Sequence, residues 1–381
     1  MGTDKGDIFE AEISCETGIL SSGFEKQWRH AHSLTNGGRV TGIEVHRVPK
    51  SKRFFIFVTQ KSRLYQFQGV VSGDPETEKP ILYRIFEDSS QKPEIVELKN
   101  LGNFSYLNFF YEPKESGKLA AKMPLYPRNF GWMTSDGIYH GKIDPYSNKK
   151  DSKNELIPLQ GSQQVLGFVL TQFHALIAFS NRLQAICLLN EQVIFEDELE
   201  MIKGISRDSA SGIIYVHSEY SIFKYNLEHE EKNIWKVFLE KKNFEKALEF
   251  CFGDQVKMNQ VLSKQADDLF QQEKYMEAAQ VYAQTKGTDF ESVALKFLQQ
   301  KEHEALLHYL RKRLDLVKAS EKIQLTMIIV WLVEIYLNKM SKSSNSKHTK
   351  DLSEDDIDGK IWLRCILALG NVALWSFSNG L

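Results

Sequence analysis

The chain has 381 residues, more than one ordinary domain of about 100–200 residues holds and enough for two or three. Apolar residues make up 42% and charged residues 26%, the balance of a soluble globular chain, which excludes a disordered, collagenous or multispan membrane protein. Its 48 basic and 50 acidic residues give a formal net charge of −2, without the basic excess of a nucleic-acid binder.

The four cysteines, Cys15, Cys187, Cys251 and Cys365, are far apart, with no CxxC and no histidine at zinc spacing. That pattern argues against a disulfide framework and a structural zinc site. The first residues lack a basic stretch followed by an apolar run, so no signal peptide is read there and a cytosolic protein is expected. Asn103-Phe104-Ser105 fits the glycosylation pattern but in that setting reads as chance.

Residues 1–227 read as β. Turn residues from Thr3 to Gly6 lead into a strand from Asp7 to Ile13, so the chain opens inside a hairpin. Further hairpins pair Phe54–Thr59 with Leu64–Phe67, Gly131–Met133 with Ile138–Tyr139, Ala175–Phe179 with Leu183–Leu189, and Ile213–Val216 with Ser221–Tyr225. Repeated hairpins with no helices between them predict a β-propeller with four or five blades of about 40–50 residues. A β-sandwich also has many short strands, but about 230 residues is long for one.

The periodicity changes at Asn226–Lys232. Apolar residues then fall at helical spacing: Ile234, Trp235, Val237 and Phe238; Phe244, Ala247, Leu248 and Cys251; Ala266, Leu269 and Phe270; Tyr275, Ala278, Ala279 and Tyr282; Val293, Leu295, Phe297 and Leu298; Ala305, Leu306, Tyr309 and Leu310. Phe244-x-x-Ala247 recurs as Tyr275-x-x-Ala278, a small residue for close helix approach beside an aromatic that fills the groove. Residues 228–340 are thus expected to form helix pairs of an α-solenoid, with a plain bundle as the alternative. Ile323–Leu337 is an apolar helix too short, and interrupted by Glu334, to suit a membrane span. Residues 341–360 read as a polar linker and 361–381 as an apolar tail of uncertain structure, broken by Arg364 and Asn371.

No catalytic, cofactor-binding or metal-ligating set is nominated, and no cofactor is expected. Phosphate-loop, dinucleotide, nucleophile-elbow, zincin and EF-hand patterns are all missing from the sequence. His30 and His32 share a strand face but have no third ligand nearby, and His303 and His308 fall on different helix faces. Asp136-Gly137 and Asp208 lie in turns, where aspartate serves backbone geometry. Glu196–Glu200 reads as a solvated acidic face, and Arg311-Lys312-Arg313 as a helix surface of mixed charge beside Asp315 and Glu321. Trp28, Trp235, Trp331, Trp362 and Trp375 are possible interface anchors, though large aromatics in such runs are more often core.

Several stretches in order resemble the deep orange (Pep3/Vps18) family of class C vacuolar protein sorting subunits. They are Gly6–Glu12, Arg63–Phe67, Trp132-Met133 with Asp136–Gly141, Val169–His174, Tyr220–Tyr225, Ile234–Leu239, Val293–Leu298 and Ile335–Leu337. The resemblance implies a propeller, a clathrin heavy-chain-like α-solenoid and a C-terminal RING-type zinc domain, which has no counterpart in this sequence. It also implies non-enzymatic work in the HOPS and CORVET tethers on late endosomal and lysosomal or vacuolar membranes. The expected partners are the other class C subunits and, indirectly, Rab GTPases and SNAREs, without nucleic acid. Family propellers begin upstream of Met1 and their solenoids run much longer, so N-terminal blades are expected to be missing and 361–381 to be read-through of an incomplete or spliced product. Another propeller–solenoid assembly, such as a vesicle coat or intraflagellar transport complex, is the alternative. An enzyme using a propeller pocket would need clustered carboxylates or histidines at strand ends.

Overall fold

The computed structural model describes residues 1–11, 28–71, 81–87, 93–99, 104–111, 126–143, 154–159, 164–209, 211–285, 290–317 and 321–344. They fall into two compact units, Met1–Glu230 and Glu231–Leu381. Among the described residues the first is built from strands with one short α-helix, and the second from helices.

The first unit begins as expected, inside a hairpin. Phe9 and Met1 exchange backbone hydrogen bonds of 2.8 Å around the turn at Thr3–Gly6, and β1 (Asp7–Ala11) pairs with β2 (Trp28–Ser33). Three four-stranded antiparallel meanders follow: β3 (Gly42–Arg47) to β4 (Arg53–Thr59), β5 (Arg63–Val70) and β6 (Glu94–Glu97); β7 (Ser105–Tyr111) to β8 (Pro127–Thr134), β9 (Gly137–Lys142) and β10 (Glu155–Pro158); β11 (Val165–Leu170) to β12 (His174–Phe179), β13 (Arg182–Cys187) and β14 (Val193–Glu198). A three-stranded sheet closes the series with β15 (Ile202–Arg207), β16 (Ile214–Ser218) and β17 (Ile222–Tyr225). The first strands lie side by side, β3 next to β7 and β7 next to β11, with β11 beside β15. Successive meanders whose first strands adjoin are the blades of a propeller.

The layers between blades explain the near-continuous apolar runs. Side chains alternate across a strand, so Phe55 and Phe57 of β4 enter a core with Phe109, Phe130 and Trp132, while Ile56 and Val58 enter another with Ile8, Ala31 and Tyr65. Likewise Ala175, Ile177 and Phe179 of β12 pack with Phe110, Met133 and Phe168, and Leu176 and Ala178 with Ile202, Ile214 and Val216. A strand buried on both faces cannot alternate polar with apolar. Ser105 adds a polar tie between blades: its hydroxyl accepts from Trp132 Nε1 at 2.9 Å, lies 2.9 Å from Thr41 Oγ1 and donates to the Gln60 carbonyl at 3.1 Å.

The expectation of no helix among the strands is corrected by α1 (Ile81–Glu87). Leu82, Ile85 and Phe86 share one side of it and fill the layer beside β5, where a Cβ on Gly69 would stand 2.7 Å from Ile85 Cγ2.

The second unit contains α2 (Ile234–Glu240), α3 (Phe244–Glu249), α4 (Gln255–Gln271), α5 (Tyr275–Gln284), α6 (Phe290–Gln299), α7 (His303–Leu316) and α8 (Lys322–Ser344). These make successive antiparallel helix pairs with α8 packed on α7, a helical solenoid. Ala247 and Ala278 are fully buried, as close helix approach requires. Tyr282 donates to Asp267, which also pairs with Lys296 at 2.7 Å, so α4, α5 and α6 are tied by one carboxylate. Ile328, Ile329, Leu332 and Tyr336 seat α8 in the same core as Phe297 and Tyr309. No helix among the described residues is long and apolar enough to cross a membrane. α8 runs four residues into the stretch read as linker; the rest of that stretch and the tail 361–381 lie outside the described residues.

Candidate functional site

A cluster of polar groups in the β unit surrounds Glu230, a residue of the Asn226–Lys232 stretch where the periodicity changes. A tight turn joins β11 to β12: Thr171 N–H donates to the His174 carbonyl at 2.8 Å, and His174 N–H donates to Thr171 Oγ1 at 3.0 Å. That turn presents three groups to one oxygen. Glu230 Oε1 accepts from Thr171 Oγ1 at 2.5 Å and Phe173 N–H at 2.8 Å, and bonds His174 Nδ1 at 2.8 Å. Cys187 stands directly across from His174 on β13.

Both members of the ion pair are largely out of water, with 9% and 14% of their side chains exposed. Burial disfavours the His174 imidazolium, yet its hydrogen bonds to Cys187 and Glu230 outweigh that cost and its pKa is pushed up to about 9. Burial also works against the Glu230 carboxylate, and its three hydrogen bonds overcome it, holding the group below its ordinary range. The Cys187 thiol is lowered in the same way: burial is outweighed by His174 and the N–H groups of Leu189 and Asn190. Arg207 on β15 adds its charge nearby. It donates to the Leu170 carbonyl at 3.2 Å and lies over the Phe110 ring at 4.9 Å, touching the two preceding blades.

A thiol, an imidazole and a carboxylate in sequence are the parts of an activated nucleophile. The sulfur, however, is enclosed, for Cys187 is 2% exposed. The arrangement instead clasps the end of the sheet unit to its third complete blade. Sequence reasoning passed over it because Glu230 lies 56 positions from His174.

The residues singled out in the sequence are spread across the fold. His30 lies within 2.8 Å of Ser33 Oγ, and His32 stacks on Phe86 at 4.6 Å between ring centroids. Burial first, and the charge of His30 second, lower the His32 pKa. No group of three His, Cys, Asp or Glu among the described residues is placed to hold a metal ion. His303 opens α7 on its exposed side, and His308 is half-buried beside Arg311 and Lys312. Asp208 accepts from Ser211 Oγ at 2.6 Å inside its turn, and Asp136 N–H bonds Thr134 Oγ1 before the β9 strand.

The mixed-charge surface expected at Arg311–Arg313 is corrected. Arg313 is buried and donates to the carbonyls of Thr285 at 2.6 Å and Ala283 at 3.4 Å, satisfying the C-terminal end of α5. Arg311 Nε donates to Tyr336 Oη at 2.6 Å and its guanidinium lies over that ring. Among the tryptophans, Trp235 is buried, Trp331 packs on Phe290, and Trp28 is half exposed on β2; Trp362 and Trp375 lie outside the described residues. Cys251 is a buried free thiol that donates to the Ala247 carbonyl, while Cys15 and Cys365 lie outside the described residues.

The family described as Pep3/Vps18/deep orange beta-propeller domain matches residues 1–227. The chain belongs to this family. The first half of the VPS18 alpha-solenoid domain matches 227–362, so family and structure agree on sheets followed by a helical solenoid. Zebrafish vacuolar protein sorting-associated protein 18 homolog is 31% identical over 358 residues, 90% of this chain and 35% of that protein. The Drosophila melanogaster homolog is 27% identical over 390 residues, 94% of this chain and 37% of that protein. The Schizosaccharomyces pombe vacuolar membrane protein pep3 is 30% identical over 197 residues, 50% of this chain and 22% of that protein. This chain thus spans between about a fifth and little more than a third of the length of these relatives. Kluyveromyces lactis Hsv2 overlaps 51% of each chain at a TM-score of 0.29 and 11% identity, too slight a likeness to argue from.

Proposed function

We propose that this chain serves as a non-enzymatic scaffold subunit of a class C vacuolar sorting assembly. What carries the proposal is the order of the family match, propeller over 1–227 and solenoid over 227–362, together with relatives named for vacuolar protein sorting. In this reading the work is the tethering of late endosomal and lysosomal or vacuolar membranes before SNARE-dependent fusion, within HOPS or CORVET. Rab GTPases and SNAREs act through the other subunits, and the chain attaches to membranes peripherally from the cytoplasmic side. The division between the halves is taken at 227/228. The enclosed thiol and the employment of Arg311 and Arg313 in packing favour surface recognition over chemistry.

The test is affinity purification of the tagged 381-residue chain from cytosol of its source cells, with identification of what accompanies it. Recovery of the other class C subunits supports the proposal. Recovery of coat or intraflagellar transport subunits in their place, or of chaperones alone, overturns it.

A further inference from the structure

The outermost strand of a propeller blade has an open edge, and such edges are ordinarily blunted by charge, proline or brevity. β6 is short with glutamate at both ends, and β10 is short and ends in proline; each exposes a single large apolar residue, Ile95 and Leu156. β14 differs. Val193, Ile194 and Phe195 are 51%, 54% and 45% exposed in succession, and neither lysine nor proline interrupts the strand. Glu196, Asp197, Glu198 and then Glu200 follow at once.

The register shows which backbone groups are open. Leu199 N–H donates to the Asn181 carbonyl, and Glu198 opposes Arg182, Asp197 opposes Leu183 and Glu196 opposes Gln184. In an antiparallel ladder, opposed residues alternate between bonding each other and bonding outward. Leu199, Asp197 and Phe195 therefore turn their N–H and C=O to β13, and Glu196 and Glu198 turn theirs to the open edge. A bulge at Ile194 ends this regular stretch on its other side.

Side chains follow the same alternation. Asp197 and Phe195 face β17, where Asp197 accepts from Tyr225 Oη at 2.6 Å and Phe195 meets the Tyr225 ring edge-on. Glu196 and Glu198 share the other face. Arg182 pairs with Glu196 at 3.0 Å, and Glu198 and Glu200 have no ion-pair partner among the described residues.

We infer that the β14 edge docks an extended segment of a partner protein in which basic and apolar residues alternate, added as a fifth strand. Its basic side chains fall opposite Glu196 and Glu198, its apolar ones lie beside Phe195, and its main chain bonds the two outward-facing residues. Charge excludes a second copy of this edge, because pairing β14 with itself would set glutamates against glutamates. The inference goes beyond the scaffold reading and its test is independent of which subunits co-purify.

The probe is a fluorescein-labelled, end-capped peptide alternating lysine and valine, titrated against the full chain by anisotropy beside a peptide alternating glutamate and valine. The lysine peptide is expected to bind at least ~10-fold more tightly, less so as salt rises. Amide exchange at Glu196 and Glu198 should slow, with Asp197 unchanged. Glu198→Pro removes one outward donor at a position where an edge tolerates proline, and should weaken binding at least ~10-fold. If that variant does not fold, the double change Glu196→Lys and Glu198→Lys decides: the preference should pass to the glutamate peptide. No binding up to ~1 mM, equal binding of both peptides, protection at other residues, or an unreversed preference in the double variant would overturn the inference.

Discussion

Replacing Glu230 by glutamine keeps the side-chain shape and removes the charge that three donors share, so it isolates the clasp. The His174 pKa is raised to about 9 from its ordinary value of 6.5. A group held charged in this way stabilises the fold fully below pH 6.5, and its contribution fades as pH rises through about 9. Summed over that shift the stabilisation is about 3 kcal/mol, part of it owed to Cys187. Assigning about 2 kcal/mol to Glu230, and about 1 kcal/mol to weaker bonds from Thr171 and the Phe173 amide, makes Glu230→Gln cost about 3 kcal/mol at pH 6.5. At pH 10 the imidazole is neutral in both proteins and the cost should shrink to about 1 kcal/mol. The assay is urea unfolding of wild type and variant at both pH values, with hydrogen exchange of the Phe173 amide as the local readout. A gap of equal size at pH 6.5 and pH 10 would refute the account, since Glu230 would then not be holding an imidazolium.

Cys187 should resist a soluble disulfide reagent in the folded chain and react on unfolding, because enclosure outweighs its lowered pKa; rapid labelling of the native protein would contradict this. Arg313→Met should cost about 2–3 kcal/mol in thermal or urea melts by removing the buried donor to the Thr285 and Ala283 carbonyls, whereas Lys312→Met, on the exposed side, should cost under ~0.5 kcal/mol. Gly137→Ala should destabilise by about 2 kcal/mol or more, since φ there is +140° and the new Cβ would stand 2.0 Å from the Ile157 carbonyl oxygen. Glu273→Gly should raise stability by about 0.5–1 kcal/mol, because Glu273 sits at φ +62°, and Glu273→Val should lower it; melting of the two variants reads both signs.

The strands were legible because burial on both faces leaves a mark in composition. Phe54–Thr59 and Ala175–Phe179 are unbroken apolar runs, and each run divides its side chains between two cores. β16 shows the converse: Ile214 and Val216 are buried while Tyr215 is half-exposed and His217 exposed, so only one face of its sheet is covered. The helix α1 was not legible, since seven residues carry too few apolar positions to separate a helical period from a strand run. The burial of Arg313 is hidden in the sequence for a different cause. Three cations in a row look like a solvated face, and only the position of the α5 terminus tells that one of them is needed indoors.

The helical half repeats more faithfully in its backbone than in its side chains. Lys242, Glu273 and Lys301 take φ of +56°, +62° and +62°, each two residues past the end of the first helix of a pair. At each, that residue's N–H bonds the carbonyl three back, and the next N–H bonds the carbonyl five back: Asn243 to Phe238, Lys274 to Leu269, Glu302 to Phe297. This closure satisfies two terminal carbonyls and is ordinarily built on glycine, whose presence would have marked the turns. Here charged residues hold the left-handed position, so the sequence carries no sign of it. The aromatic-x-x-alanine pattern finds the first two turns through Ala247 and Ala278. It misses the third, where Leu306 takes the matching place and the buried small residue is Ala305, one position and about 100° round the helix. The turn dictates where each second helix starts; the side chains that pack against it are free to vary around that fixed start.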